Sequence, residues 1–115
     1  MKRLYPAVII IISVCIFYHF FDKSMDRHIS NIMETIEKTD KAIIKEDYEK
    51  AKSYCKELEN HWEDTKKIAK ILVDEKEIEN TGYYIRQSQN TLVNRNKDDY
   101  LIFSDSLKYY IRQLK

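Results

Sequence analysis

The sequence predicts an all-α protein in which an N-terminal transmembrane helix is followed by an antiparallel up-and-down helical bundle of about four helices. Three observations carry this. Leu4 to Phe21 is an eighteen-residue run without Asp, Glu, Lys or Arg. The 115-residue chain holds one Gly and one Pro, far below the usage of α/β or β domains. Beyond Phe21 the apolar residues recur in alternating steps of three and four, averaging 3.5, the period of a helix laying its seam along another helix.

The apolar run, wound as an α-helix at about 1.5 Å per residue, gives roughly 27 Å, the thickness of a thin bilayer core. Tyr5 stands at one end and Phe17, Tyr18, Phe20 and Phe21 at the other, a distribution like the aromatic belts at headgroup level. Pro6 falls in the first turn, where its missing N–H costs little. Lys2 and Arg3 precede the run, and Lys23 and Arg27 follow it. That modest bias predicts a cytoplasmic N-terminus and an extracytoplasmic C-terminal part. A cleaved signal peptide is the competing reading, but its exit should carry small residues, and here the exit is His19-Phe20-Phe21-Asp22. A lipoprotein would use Cys15, yet Val14 stands where a small residue belongs and apolar residues continue beyond it. Residues 1–22 are therefore read as a signal anchor of a single-pass membrane protein, and residues 23–115 as an extracytoplasmic bundle.

All nineteen acidic residues follow Phe21, and of the twenty Lys and Arg only Lys2 and Arg3 precede it. The bundle is nearly neutral and lacks the clustered positive field of a nucleic-acid surface. With one Cys in the span and one at position 55, no intrachain disulfide is expected.

The first stripe is Met25, Ile29, Ile32, Ile36, Thr39, Ile43. The second is Tyr48, Ala51, Cys55, Leu58, Trp62, Thr65, Ala69, Leu72. In the third, Ile78, Ile85 and Leu92 keep sevenfold spacing while Thr81, Ser88 and Gln89 dilute it. The fourth is Tyr100, Phe103, Leu107, Tyr110, Leu114. Asp47 is the expected N-cap after a tight joint at Lys45-Glu46. Asp74-Glu75-Lys76-Glu77 has the capping-box pattern, and Asn96-Lys97-Asp98-Asp99 makes a similar start. Helices are expected over 23–44, 47–73, 75–95 and 98–114, with short joints forcing antiparallel neighbours. Setting Asp47-Tyr48 on Asp99-Tyr100, an offset of 52, suggests two αα-hairpins of similar plan.

Three strings, Glu46-Asp47-Tyr48-Glu49-Lys50-Ala51, Leu58-Glu59-Asn60-His61-Trp62-Glu63-Asp64-Thr65-Lys66 and Ile71-Leu72-Val73-Asp74-Glu75-Lys76-Glu77-Ile78-Glu79, carry a resemblance. With the later Asp98-Asp99 start, residues from about Glu46 to Lys115 resemble the domain-of-unknown-function family 4363 of low-GC Gram-positive bacteria. The chain departs from that pattern at Ile68-Ala69, where the family often has a second Trp, and at Glu75, where it often has His. The resemblance implies a small membrane-anchored helical protein with no assigned activity.

No catalytic, cofactor or metal constellation emerges. Cys55 sits on a stripe with no His at a useful offset and reads as a buried small hydrophobe. His61 and Glu57 form an i, i+4 pair without further ligands. Glu75, Glu77 and Glu79 suit the positive end of a helix dipole better than acid–base work. Trp62 reads as a core anchor, or alternatively as one wall of a ligand pocket. Gly82 marks either a close helix approach or a break. Four tyrosines lie off the stripes, Tyr54, Tyr83, Tyr84 and Tyr109, and are candidates for a partner-binding face. The expected function is a non-enzymatic protein-interaction or structural module of the cell envelope, which binds another envelope protein or associates with itself. A small-ligand-binding or sensory bundle with a pocket near Trp62 is the alternative.

Overall fold

The computed structural model describes residues 4–114. The described residues form four helices, α1 (Leu4–Ile44), α2 (Tyr48–Leu72), α3 (Glu75–Val93) and α4 (Lys97–Gln113), with every bundle boundary within two residues of expectation except the start at 23, where α1 continues without a break. Lys2 and Arg3, which carry part of the orientation argument, lie outside the described residues. α2 and α4 each pack on both α1 and α3, so the helices form a square with α1 diagonal to α3. The body measures 68 × 22 × 17 Å.

The change of composition at Asp22 is not a break in the backbone. α1 runs unbroken for 41 residues. Leu4 to Phe20 are exposed throughout, whereas Met25, Ile29, Ile32, Ile36 and Ile43 of the same helix are buried. One rod is thus bare apolar surface in its first half and bundle spine in its second.

Two joints turn the chain in the same way. Glu46 (φ 60°) and Arg95 (φ 54°) adopt the left-handed conformation, which usually falls to Gly because other residues lose energy there. Around Glu46, the Glu46 N–H donates to the Ile43 carbonyl (2.9 Å) and Asp47 N–H to Ala42 (2.8 Å). Around Arg95, the Arg95 N–H donates to Leu92 (3.0 Å) and Asn96 N–H to Thr91 (2.9 Å). Both are Schellman closures, and both feed a capped helix: Asp47 accepts from Lys50 N–H and Asn96 from Asp99 N–H, each at 3.2 Å. The joints lie side by side, with the Lys97 ammonium donating to the Ile44 carbonyl at 3.4 Å and Arg95 over the Tyr48 ring.

Asp47 to Asn96 is a step of 49, and that offset aligns the two hairpins. Every buried residue of α3, Ile78, Thr81, Ile85, Ser88 and Leu92, falls on a buried residue of α1: Ile29, Ile32, Ile36, Thr39 and Ile43. The buried residues of α4, Tyr100, Ser104, Leu107 and Ile111, fall on Ala51, Cys55, Leu58 and Trp62 of α2. The expected offset of 52 is therefore corrected to 49, and the fourth stripe with it. Tyr100, Leu107 and Leu114 are buried as expected, but Ser104 and Ile111 take the places given to Phe103 and Tyr110, which are only half-buried. Any sevenfold repeat leaves a choice between a step of three and one of four. Hydrophobicity favours Phe103 over Ser104, yet Ser104 lies inward and donates to Asp40 of α1 (2.6 Å), whereas Ile111 is the more apolar of its pair with Tyr110.

The expected capping box at Asp74 is also revised. Asp74 is the N-cap residue but its side chain makes no cap bond. Its carbonyl instead accepts from both Glu77 (3.1 Å) and Ile78 (3.2 Å) N–H, so the N3 amide is already engaged.

The polar members of the stripes pack as small core residues. Buried Thr35, Thr39, Thr65 and Thr81 donate to the carbonyl four residues back in their own helix, which satisfies the hydroxyl locally. Trp62 is 4% exposed and lies in the larger apolar cluster with Ile32, Leu58, Ile85 and Leu107. Gly82 does not break α3, and a Cβ placed there would sit 3.7 Å from Trp62 Nε1, an ordinary contact. Trp62→Ala should therefore cost roughly 3–5 kcal/mol. Gly82→Ala should stabilise the protein by up to about 1 kcal/mol through helix propensity. Denaturant melts of both variants check the pair of opposite signs.

Candidate functional site

Three regions carry chemistry or exposed recognition surface. The first is aromatic. Tyr83, on α3, is 47% exposed and Tyr109, on α4, 58%. Between them Tyr84 stacks on Tyr110 with centroids 4.9 Å apart and approaches Phe103 at 6.3 Å. Tyr83 meets Tyr84 edge-on at 5.3 Å, and Tyr109 meets Tyr110 at 5.5 Å. Five rings thus pave one outer face of the α3–α4 hairpin. Tyr84 also packs against the main core; desolvation and the neighbouring Tyr110 phenol raise its pKa. Of the four tyrosines singled out in the sequence, Tyr83, Tyr84 and Tyr109 come together here. Tyr54 packs elsewhere, against the smaller core cluster.

The second region is a groove of about 270 Å³ between α2 and α3, over the edge of Trp62. Glu59, Glu63, Lys66, Glu79 and Arg86 line it, and Gln89 donates to Glu59 across it at 3.3 Å. Trp62, Ile78 and Ile85 form its apolar lining, so charged and apolar groups share the groove. His61 and Glu57 pair at 3.5 Å on the surface of α2, and among the described residues no group of three or more candidate metal ligands converges.

The third region was not singled out in the sequence. The core divides into two apolar clusters, one from Met25 to Ile36 and their partners, the other around Ala42, Ile43, Ala51, Cys55, Leu92 and Tyr100. The offset of 49 pairs the small residues Thr39 with Ser88 and Cys55 with Ser104, one on each helix and all buried. Asp40 enters beside them. One of its oxygens accepts from Ser104 Oγ at 2.6 Å and the other pairs with Lys108 Nζ at 2.6 Å. Ser88 Oγ is buried without a partner.

A family model described as a domain of unknown function, DUF4363, matches residues 19–115. The chain belongs to this family. No curated protein and no solved structure matches it. The resemblance read from Glu46 onward thus extends back through the bundle half of α1. The DUF4363 match takes in all three regions and enters the apolar run only at His19, Phe20 and Phe21.

Within this DUF4363 domain burial raises the pKa of two core groups. Burial, then the charge of Asp40, then that of Glu59, push the Cys55 thiol from 9.0 up to about 12. Burial followed by the Asp40 charge also raises the Tyr100 phenol. Neither is a nucleophile near neutrality, since the thiolate is the reactive form. Asp40 gave no local signal because its partners lie 64 and 68 positions away. The i, i+4 pair Ser104 and Lys108, on the seam side of α4, is the pattern that points to it.

Two outcomes follow. Cys55 should resist alkylation at pH 8 in the folded protein and react on unfolding. Its folded pKa lies above the unfolded one, so its stabilising contribution is complete below pH 9 and is lost as pH rises toward about 12, at about 1.4 kcal/mol per pH unit for one group. Alkaline melts check the window. Lys108→Met leaves Asp40 buried without its cation. It should cost about 2–3 kcal/mol, less than a fully enclosed pair because the Lys108 side chain keeps 22% exposure. Asp40→Asn added to Lys108→Met should recover part of the loss.

Proposed function

We propose that this DUF4363 protein is a single-pass, membrane-anchored interaction module, non-enzymatic, with an extracytoplasmic bundle in the cell envelope. The observation that carries this is the aromatic pavement of Tyr83, Tyr84, Phe103, Tyr109 and Tyr110 over a filled core. Tyrosine combines apolar area with a polar tip and few rotatable bonds, which suits it to protein interfaces. A ligand-binding bundle would instead need a concave, mostly apolar pocket with a few convergent polar groups, whereas five charged side chains line the groove beside Trp62. The anchoring half of the proposal rests on the exposed apolar run Leu4 to Phe21. A helix with so much bare apolar surface suits lipid, although a signal helix has the same composition. The partner is another envelope protein or a second copy.

Tyr83 and Tyr109 are the rings to change, because Tyr84 helps hold the core. Tyr83→Ser with Tyr109→Ser should keep helicity and melting near those of the parent. In crosslinking from native membranes the double variant should lose its crosslinked partner at least about fivefold, since interface tyrosines commonly carry more than about 1 kcal/mol each. A double variant that folds and retains every crosslink contradicts the proposed face. C-terminal reporter fusions test the orientation: activity of an extracytoplasmic reporter agrees with it, and activity of a cytoplasmic reporter alone reverses it.

A further inference from the structure

The end of α2 lies against the apolar half of α1. Ile71 and Leu72 form one groove with Ser13, Val14, Phe17, Tyr18 and Phe21, about 360 Å³ in volume. Ile71 is 63% exposed and Leu72 is half-buried. Ser13 to Phe21 covers roughly 12 Å of helix, so the groove runs from the α2–α3 joint along the flank of the apolar run.

We propose that this joint is a second membrane contact, with Ile71 and Leu72 seated among lipid acyl chains at the bilayer boundary. The proposal rests on the anchoring of α1. Continuity argues for lipid as the occupant: whatever covers Val14, Phe17 and Phe21 extends over Ile71, because they share one groove. The other exposed aliphatic side chains of the joints, Ile44 and Val93, stand at the far end of the bundle and touch no apolar run. Charge selects little here. Lys66, Lys67, Lys70 and Lys76 are offset by Asp74, Glu75 and Glu77, so the apolar contact should form on zwitterionic lipid without anionic headgroups. With α1 crossing the bilayer and the joint resting in it, the bundle has two attachments and a fixed tilt. The aromatic face of α3–α4 is then held at a set height above the membrane.

Nitroxide accessibility on the full chain in phosphatidylcholine vesicles tests this. Ile71→Cys, Ile10→Cys and Val93→Cys would be labelled one at a time in a Cys15→Ala background, leaving buried Cys55 in place. All three positions are well exposed, so each label should leave helicity intact. The ratio of oxygen to water-soluble nickel collisions should be highest at Ile10, several-fold above Val93 at Ile71, and lowest at Val93. A label at Ile71 that matches Val93 while Ile10 remains in lipid overturns the second contact and leaves the anchor standing. All three labels in water would overturn both. Shielding of Ile71 from both reagents, with dipolar broadening between labels, would mean that a second copy covers the groove and would also overturn the proposal.

Discussion

The continuity of α1 is the constraint on which the rest of the molecule depends. A helix propagates as long as each N–H finds the carbonyl four residues back. Nothing between Leu4 and Ile44 interrupts that ladder: Pro6 sits where no partner is needed, and the helix contains no glycine. The apolar run is therefore part of the same rod that α2 and α4 pack against. Where α2 ends fixes where the bundle meets the apolar run, and the square of four helices is hung on the remainder. A flexible linker at Asp22 would free the bundle to tumble; a continuous rod carries orientation from one half to the other.

Within the bundle, the second constraint is the buried Asp40 carboxylate, held by Ser104 and Lys108. The small Ser104 side chain leaves room for the Asp40 carboxylate, whose other oxygen meets Lys108. Removing one partner of such a pair is costly even where the intact pair adds little net stability. The pair ties α4 to α1 at one register, through Ser104 and Lys108. It also selects among faces of α4: with Ser104 inward, Phe103 and Tyr110 are turned to the flank, beside Tyr84. The aromatic face is in this sense a consequence of the buried carboxylate.

Local signals made most of the architecture legible. The steps of three and four name buried residues correctly from Met25 to Ile43 and from Ala51 to Ala69, while Tyr48 and Leu72 at the ends of the second stripe are only half-buried. Asp47 and Asn96 cap the helices that they were expected to cap. Long-range pairing was not legible. The stripe of α4 hinges on Ser104 meeting Asp40 across 64 positions, and nothing local distinguishes Asp40 from the solvated acids around it. The same displacement hid the offset of 49. Asp47-Tyr48 and Asp99-Tyr100 look alike as strings, whereas Asp47 and Asn96 perform the same capping task. Of the tyrosines, adjacency on a helix separated Tyr83 from the seam, but only the packing of α3 on α4 brought Tyr109 beside it and sent Tyr54 to the other end.

The bundle places the exposed aromatic face of α3–α4 relative to the bare apolar half of α1. The rigidity of α1 is what makes that placement definite. Dipolar electron resonance between nitroxides at Ile11→Cys and Lys41→Cys, in a Cys15→Ala background in lipid vesicles, measures it directly. Thirty residues of unbroken α-helix span about 45 Å, so the account predicts a single narrow distance distribution near that value. A broad distribution, or one centred well below it, would mean that the helix breaks between anchor and bundle and would contradict the account.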